Sequence, residues 1–243
     1  MKQFKILTIL LAFTGLLHFI SSCNSGDEKK AADSTIVKTN IDTTLKNEPS
    51  VKPGNIMFIK HKVADFTKWL AVYDLHDSVR KAYGLHNFGV SRGIDDSNMV
   101  LVALKMDDLN KAKEFAALPN LKATMEKGGV VGPPTIMYYD RQTLDLSSNA
   151  INTRVLVSHK VKDWEAWKKE FDSHRQARID AGIMDRSVGY EVGNNKVVNI
   201  VATVNDIKKA KDFFSSKDLK DKMAAAGVDG PPTIFFYNLV KKY

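Results

Sequence analysis

Three residues able to carry acid–base and anion chemistry, His61, His76 and Arg80, recur 98 residues later in the chain. Histidine titrates near neutral pH and can transfer a proton, whereas arginine keeps a fixed charge and binds carboxylates through paired hydrogen bonds. A site that combined them would suit an anionic or enolisable small molecule, held by the arginine and protonated or deprotonated by a histidine. The second set is His159, His174 and Arg178.

The segment after Asp65 places several of these side chains on one face of a helix. At 100° per residue, two aromatic residues, a histidine and an arginine fall within an arc of roughly 60°. An aromatic face points inward, and an arginine on it needs a counter-ion or a wet cavity. Each such helix is therefore predicted to border a polar pocket. The helical pocket residues are Trp69, Tyr73, His76 and Arg80, and Trp167, Phe171, His174 and Arg178.

His61 and His159 belong to predicted strands rather than helices. Each alternates with aliphatic residues, and therefore shares one sheet face with them. The pattern leaves open whether the helices cover that face. If they do, His61 joins His76 and Arg80 in one candidate ligand pocket, and His159 joins the second set.

A purely structural role is the main alternative for these residues. The histidines and arginines could bond backbone carbonyls, or a carboxylate such as Asp65 or Asp163, and hold the helix on the sheet. Both tryptophans could serve core packing alone. The two pockets also need not be equal, because Tyr73, Tyr83 and His86 are replaced at the matching positions by Phe171, Ala181 and Met184.

Other site chemistries find little support in the sequence. Two histidines without a third ligand on the same face fall short of a zinc site, so no metal is predicted. The chain contains no HExxH, CxxC, P-loop or GxGxxG pattern, and no cofactor is predicted. Its single cysteine, Cys23, lies next to the N-terminal apolar segment, which argues against thiol catalysis.

The offset of 98 runs through most of the chain. Residues 61–139 and 159–237 are identical at 27 of 79 positions without a gap. The sequence therefore predicts a duplication. We place the first repeat at 55–140, a connector at 141–152 and the second repeat at 153–240.

Each repeat is predicted to have the order β-α-β-β-α-β. Asp65 and Asp163 are suitable N-caps for a helix that runs to a glycine, and the second helix is interrupted near Pro119. The segment 132–134, Gly-Pro-Pro, is interpreted as a rigid turn into an edge strand. The apolar strand 99–104 does not alternate, so both of its faces should be covered.

The segment Val161–Gly182, with its tryptophans, histidine, arginine and closing Ala-Gly, and the later Gly-Pro-Pro resemble small bacterial proteins of the antibiotic-biosynthesis-monooxygenase and cyclase-like group. The resemblance covers both repeats. It implies an α+β fold in which two tandem ferredoxin-like domains form an intramolecular dimeric α+β barrel, a pseudo-dimer that could be monomeric in solution. The superfamily includes cofactor-free monooxygenases, haem-degrading enzymes, isomerases and dismutases, so it does not imply one reaction.

The N-terminal residues predict export and lipid anchoring. Residues 1–22 combine two lysines with a short apolar core, as in a signal peptide. The following Ile-Ser-Ser-Cys resembles a bacterial lipobox, which predicts lipidation, including palmitate, at Cys23. Residues 23–54 are polar and lack aromatics, and are interpreted as a flexible tether. We expect attachment to the cell envelope, at the outer membrane, with the periplasmic or surface face left open.

Charge and composition narrow the function classes. The full chain carries a net charge of +8, and removal of residues 1–22 lowers it to +6. The lysines are interspersed with acidic residues, so no nucleic-acid partner is expected. Three functions remain: binding of a small molecule, either anionic or enolisable, a cofactor-independent monooxygenase- or isomerase-like activity, and a non-catalytic interaction scaffold.

Overall fold

Eight strands form one closed barrel in the computed structural model, which describes residues 54–145, 147 and 150–243. The first repeat contains β1 (Asn55–Val63), α1 (Phe66–Leu75), α2 (Asp77–Ala82), β2 (Leu85–Gly93), β3 (Met99–Met106), α3 (Leu109–Ala116), α4 (Pro119–Lys127) and β4 (Val130–Leu144). The second repeat contains β5 (Thr153–Val161), α5 (Trp164–Ser173), α6 (Arg175–Asp180), β6 (Ile183–Glu191), β7 (Asn194–Val204), α7 (Ile207–Ser215), α8 (Lys217–Ala225) and β8 (Val228–Lys242).

The strand order around the barrel is β1-β3-β2-β8-β5-β7-β6-β4, and every neighbouring pair is antiparallel. Four strands of each repeat form one half of the barrel. The pairs β2–β8 and β4–β6 join the halves and leave no free sheet edge. The predicted fold class, an α+β barrel built from two ferredoxin-like units in one chain, is confirmed.

Strand side chains alternate between the barrel interior and the helices. On β3, Val100 and Val102 belong to the core beneath the helices of the first repeat, whereas Leu101 packs inside the barrel. A separate helix-covered core forms in the second repeat, around Trp164 and Trp167. Both faces of the apolar strand are therefore covered, as its lack of alternation predicts.

The first helix of each repeat is broken at its histidine. The N-caps are as predicted, because Asp65 accepts a hydrogen bond from the Lys68 amide and Asp163 accepts one from the Ala166 amide. The sequence predicts a continuous helix, but at His76 the ψ angle is 12°, so α1 ends there and α2 begins after it. His174 has nearly the same backbone angles between α5 and α6.

The last strand of each repeat is longer than the sequence predicts. The Gly-Pro-Pro segment is part of β4 and does not form a turn before it. A register shift against β1, between Lys60 and Lys62, lies opposite this segment, and Gly132 has a φ of 76°. The other end of β4 continues through residues 141–144, predicted as connector, because they pair with β6 of the second repeat.

Several predictions concern residues outside the described part of the chain. The signal peptide, Cys23 and the tether up to residue 53 are among them. Within residues 54–145, 147 and 150–243, no helix has the length and apolar character needed to cross a membrane.

Candidate functional site

The sheet face that carries His61 and His159 is the face covered by the helices. The His61 ring centroid lies 5.3 Å from that of Trp69 on α1, and the His159 ring lies 5.3 Å from that of Trp167 on α5. Both histidines are buried. The question that strand alternation leaves open is thus answered, since each histidine and its helix meet in one place.

All ten predicted pocket residues line two cavities, one beneath the helices of each repeat. The structure therefore brings together the residues that the sequence selects, although their role in binding stays a prediction. The first cavity includes His61, Trp69, Tyr73, His76 and Arg80. The second includes His159, Trp167, Phe171, His174 and Arg178.

The two cavities differ greatly in size. The cavity of the first repeat has a volume of about 860 Å³, whereas that of the second repeat has about 80 Å³. Sites for small molecules commonly measure about 300–1,000 Å³. The first cavity is in this range, and the second has room only for a few water molecules.

Two substitutions between the repeats contribute to this difference. Phe214 lines the second cavity and packs its ring 5.9 Å from that of Phe236, but the matching residue in the first repeat is Ala116. Ala226 is likewise matched by Gly128. The first repeat therefore lacks a phenyl ring and a methyl group that occupy space in the second.

Arg178 in the second repeat has a complete set of bonding partners. Its Nε and Nη2 donate hydrogen bonds to the Asp185 carboxylate at 3.0 and 2.6 Å, and its Nη1 donates to the Phe171 carbonyl at 2.6 Å. The guanidinium also stacks on the Phe171 ring, 3.5 Å from its centroid. The charge of this arginine is balanced within the protein.

Arg80 in the first repeat lacks this arrangement. It is equally buried and stacks 3.9 Å from the Tyr73 ring centroid, but its Nε and Nη2 have no hydrogen-bond partner among the described residues. The Asp77 carboxylate lies 3.7 Å from Nη2, too far for a hydrogen bond, and it also pairs with Lys81 at 2.7 Å. This guanidinium is consequently under-satisfied.

Asn87 occupies the position in the first repeat that Asp185 occupies in the second. The Tyr73 hydroxyl donates to the Asn87 Oδ1 at 2.5 Å, and the Asn87 Nδ2 donates to Asp77 at 2.6 Å. The amide is neutral, so it cannot replace the carboxylate that Arg178 binds.

His61 and His159 are neutral at physiological pH. Burial lowers the pKa of each imidazole from 6.5 to about 4. Neither ring nitrogen of either residue has a hydrogen-bond partner among the residues that the structure describes. A neutral imidazole carries one donor and one acceptor, so each ring has both of these groups buried without a partner among the described residues.

His76 connects the helix break to the cavity wall. Its Nε2 is 3.1 Å from the hydroxyl of Thr124 on α4, while its buried Nδ1 has no partner within the described part of the chain. Lys222 replaces Thr124 in the second repeat, and no contact between it and His174 is found among the described residues. The repeats therefore differ at this contact as well.

The prediction that Asp65 or Asp163 pairs with the histidines or arginines is wrong. Asp65 and Asp163 cap helices, whereas Asp185 and Asp77 lie beside the arginines. Sequence analysis also missed Asn87, although a comparison of positions 87 and 185 at the offset of 98 reveals the change. The differences at positions 73, 83 and 86 predict unequal pockets, but they do not point to position 87.

A metal centre is not among the arrangements found. No group of three or more histidine, cysteine, aspartate or glutamate side chains in residues 54–145, 147 and 150–243 could hold a metal ion. The side chains that line the first cavity supply imidazole, guanidinium, ammonium, carboxylate and hydroxyl groups, together with aromatic rings.

Comparison with known proteins supports the fold. No family model matches the sequence, and no curated protein matches it. Among solved structures, a candidate chlorite dismutase shares 15% identity with a TM-score of 0.51, over 78% of this chain and 96% of its own. An anthrone oxidase-like protein shares 12% identity, with a TM-score of 0.50, over 78% and 92%.

A third solved structure, a candidate monooxygenase from Fusobacterium nucleatum, shares 13% identity, with a TM-score of 0.49, over 77% of this chain and 93% of its own. Sequence identity in all three cases is too low to transfer an activity. The likeness to the first two structures, whose TM-scores are 0.51 and 0.50, shows the ferredoxin-like α+β barrel fold, in agreement with the architecture described above.

Proposed function

We propose that the protein binds a small molecule in the cavity of the first repeat, between α1, α4 and the sheet. The observation that carries this proposal is the set of buried polar atoms left without a partner around a ligand-sized space. They belong to His61, His76 and Arg80.

The energetic argument rests on the cost of such atoms. A buried donor or acceptor without a partner costs about 1–3 kcal/mol, and more when it is charged. Such groups persist in functional sites, where a ligand or ordered water satisfies them. The residues that carry these atoms line the first cavity, which has the volume of a small-molecule site.

The walls of the cavity favour a ligand with an apolar body. Trp69 and Tyr73 stack with their ring centroids 5.1 Å apart, and Phe115, Leu121 and Ile136 line other parts of the cavity. A mainly apolar lining with a few convergent polar groups is typical of small-molecule sites. The polar atoms of such a ligand would lie at the end where the imidazoles and Arg80 meet.

Native mass spectrometry of the full chain, purified from the envelope of an exporting host, tests the proposal. We expect a reproducible additional mass, lost in the variant His61→Gln/His76→Gln. The matched variant His159→Gln/His174→Gln changes the small cavity and should retain that mass. A bare wild-type mass, together with lower thermal stability of both variants, would instead support structural histidines in a scaffold.

Catalysis is the second candidate function. It is favoured by the position of the His61 imidazole, which lines the same cavity as the fixed charge of Arg80. Such a pair could remove a proton from an activated carbon and stabilise the resulting anion, as a cofactor-independent oxygenase or isomerase requires. Under this alternative, His61→Gln would stop turnover of the captured molecule while leaving its binding intact.

Export and lipid attachment at Cys23 form a separate proposal, supported by the lipobox-like residues 20–23. An alkyne-labelled palmitate fed to expressing cells should label the wild-type chain and not Cys23→Ser. Fractionation should place the wild type with the outer membrane. Equal labelling of the two proteins would contradict lipidation at this residue.

A further inference from the structure

The two repeats differ in the side chain that lies at the position facing the equivalent buried arginine. The second repeat supplies a carboxylate, Asp185, whereas the first supplies an amide, Asn87, at the same position. We infer that the first cavity is selective for carboxylate-bearing molecules with an apolar body, that Asn87 determines this selectivity by leaving Arg80 without a hydrogen-bonded carboxylate, and that each chain binds one such molecule. This inference rests on the proposed function and specifies its ligand class.

The second repeat shows what a satisfied arginine requires in this fold. Asp185 accepts hydrogen bonds from two nitrogens of Arg178, and the side chain of Arg178 is only 9% exposed. A carboxylate that accepts from two guanidinium nitrogens is the favoured geometry for this pair. The corresponding nitrogens of Arg80, Nε and Nη2, are the two that have no partner among the described residues.

Asn87 cannot be rearranged to meet this need. Its Oδ1 already accepts from Tyr73, and its Nδ2, which is a donor, is bonded to Asp77. The second repeat has Phe171 in place of Tyr73 and Arg175 in place of Asp77, so neither of these contacts has a counterpart there. The asparagine is thus held by residues that are specific to the first repeat.

Other charges on the cavity wall do not neutralise Arg80. Lys122 and Glu126 both line the cavity, but they are 4.0 Å apart and their charges offset each other. Asp77 lies beside Arg80 and also beside Lys81, so one carboxylate faces two cations. A positive charge remains, and an anionic ligand would balance it as Asp185 balances Arg178.

The cavity sizes decide the stoichiometry. The cavity beside Arg80 has a volume of about 860 Å³, which is enough for a ligand with a fused aromatic ring system. The cavity beside Arg178 has a volume of about 80 Å³, and the guanidinium already donates hydrogen bonds to the Asp185 carboxylate. The second repeat therefore has neither the space nor the free charge to bind the same molecule.

The test compares two probes of nearly equal shape, 2-naphthoate and the neutral 2-naphthamide, by isothermal titration calorimetry on the full chain. We expect naphthoate to bind at one site per chain, at least about tenfold more tightly than naphthamide. Asn87→Asp should abolish this difference by lowering naphthoate affinity alone. The reciprocal variant Asp185→Asn should leave the affinity and the stoichiometry unchanged.

The outcomes separate this inference from the proposed function. If neither probe binds to the wild type, the proposed function fails. If both bind with equal affinity, or if naphthoate occupies two sites, the carboxylate inference is overturned while the binding cavity stands. Should Asn87→Asp not fold, Asp77→Arg/Asn87→Asp installs the charges of the second repeat and must remove the preference. The comparison of the two probes on the wild type needs no variant and decides the preference by itself.

Discussion

Tyr243 donates a hydrogen bond of 2.5 Å to Asp74, and so joins the end of the second repeat to the first helix of the first repeat. Lys241 donates to the other carboxylate oxygen at 2.8 Å. Burial raises the pKa of Asp74, but the hydrogen bonds from Lys241 and Tyr243 outweigh it and the pKa lies below its ordinary value. The ring of Tyr243 also meets the edge of Tyr73, whose ring lines the first cavity.

The first prediction concerns this contact. Tyr243→Phe should lower the free energy of unfolding by about 1 kcal/mol, since it removes a hydrogen bond to a charged but partly exposed group. Urea denaturation measures the change. Thr153→Ala, which removes another exposed side-chain hydrogen bond near β8, is a control and should change stability by less. Equal stability of wild type and Tyr243→Phe would show that the contact contributes nothing.

Acid should destabilise the protein through its two buried strand histidines. Burial lowers the pKa of His61 and His159 from 6.5 to about 4, so the unfolded chain binds more protons than the folded chain between these values. Stability is therefore full above pH 6.5 and falls as the pH decreases toward 4, by about 3 kcal/mol for each histidine.

Denaturation at a series of pH values tests this dependence. In His61→Gln/His159→Gln the decline between pH 6.5 and 4 should be smaller by the contribution of both residues. The single variant His61→Gln should remove about half of that contribution, because burial lowers the pKa of the two histidines to the same value of about 4. A double variant with the same pH slope as the wild type would contradict the burial of uncharged imidazoles.

The third prediction concerns Ala116 and Phe214, matching residues that contribute to the difference in cavity size. Ala116→Phe should abolish binding of 2-naphthamide, because the new ring occupies the space that Phe214 fills in the second repeat. Phe214→Ala should open the second cavity and reduce stability by about 2 kcal/mol, less than for a fully buried phenylalanine. Calorimetry and urea denaturation measure the two effects. Unchanged naphthamide binding by Ala116→Phe would place the probe elsewhere.

The sequence predicts the candidate site well where its signal is local. Helical spacing brings Trp69, Tyr73 and Arg80 to one face, and the structure shows all three on one cavity wall. The break at His76 does not disturb this outcome, because Arg80 on α2 still lines the cavity. Capping by Asp65 is equally local, since it depends on one side chain and an amide three residues away.

Features that depend on distant residues are not predictable in this way. Strand β4 extends through residues 141–144 because these residues pair with β6. The sequence of those four residues alone does not predict this pairing. The free charge of Arg80 likewise depends on Asn87, which lies on another element. Comparison of the repeats contains this second signal, but only at positions where they differ.

The last prediction tests the closure of the barrel between β4 and β6. Gly189 on β6 lies so near β4 that a Cβ atom there would be 2.0 Å from the Asp140 carbonyl oxygen and 2.9 Å from the Tyr139 ring. Because backbone cannot yield as a flexible side chain can, Gly189→Ala should destabilise the chain by more than about 3 kcal/mol, through separation of the strands or loss of their hydrogen bonds. Gly54→Ala is the matched control, since its nearest neighbour would be 3.9 Å away. Urea denaturation should leave the control close to the wild type. If Gly189→Ala were equally stable, β4 and β6 would have to lie farther apart than the closed barrel requires, and the two halves would not be joined at this position.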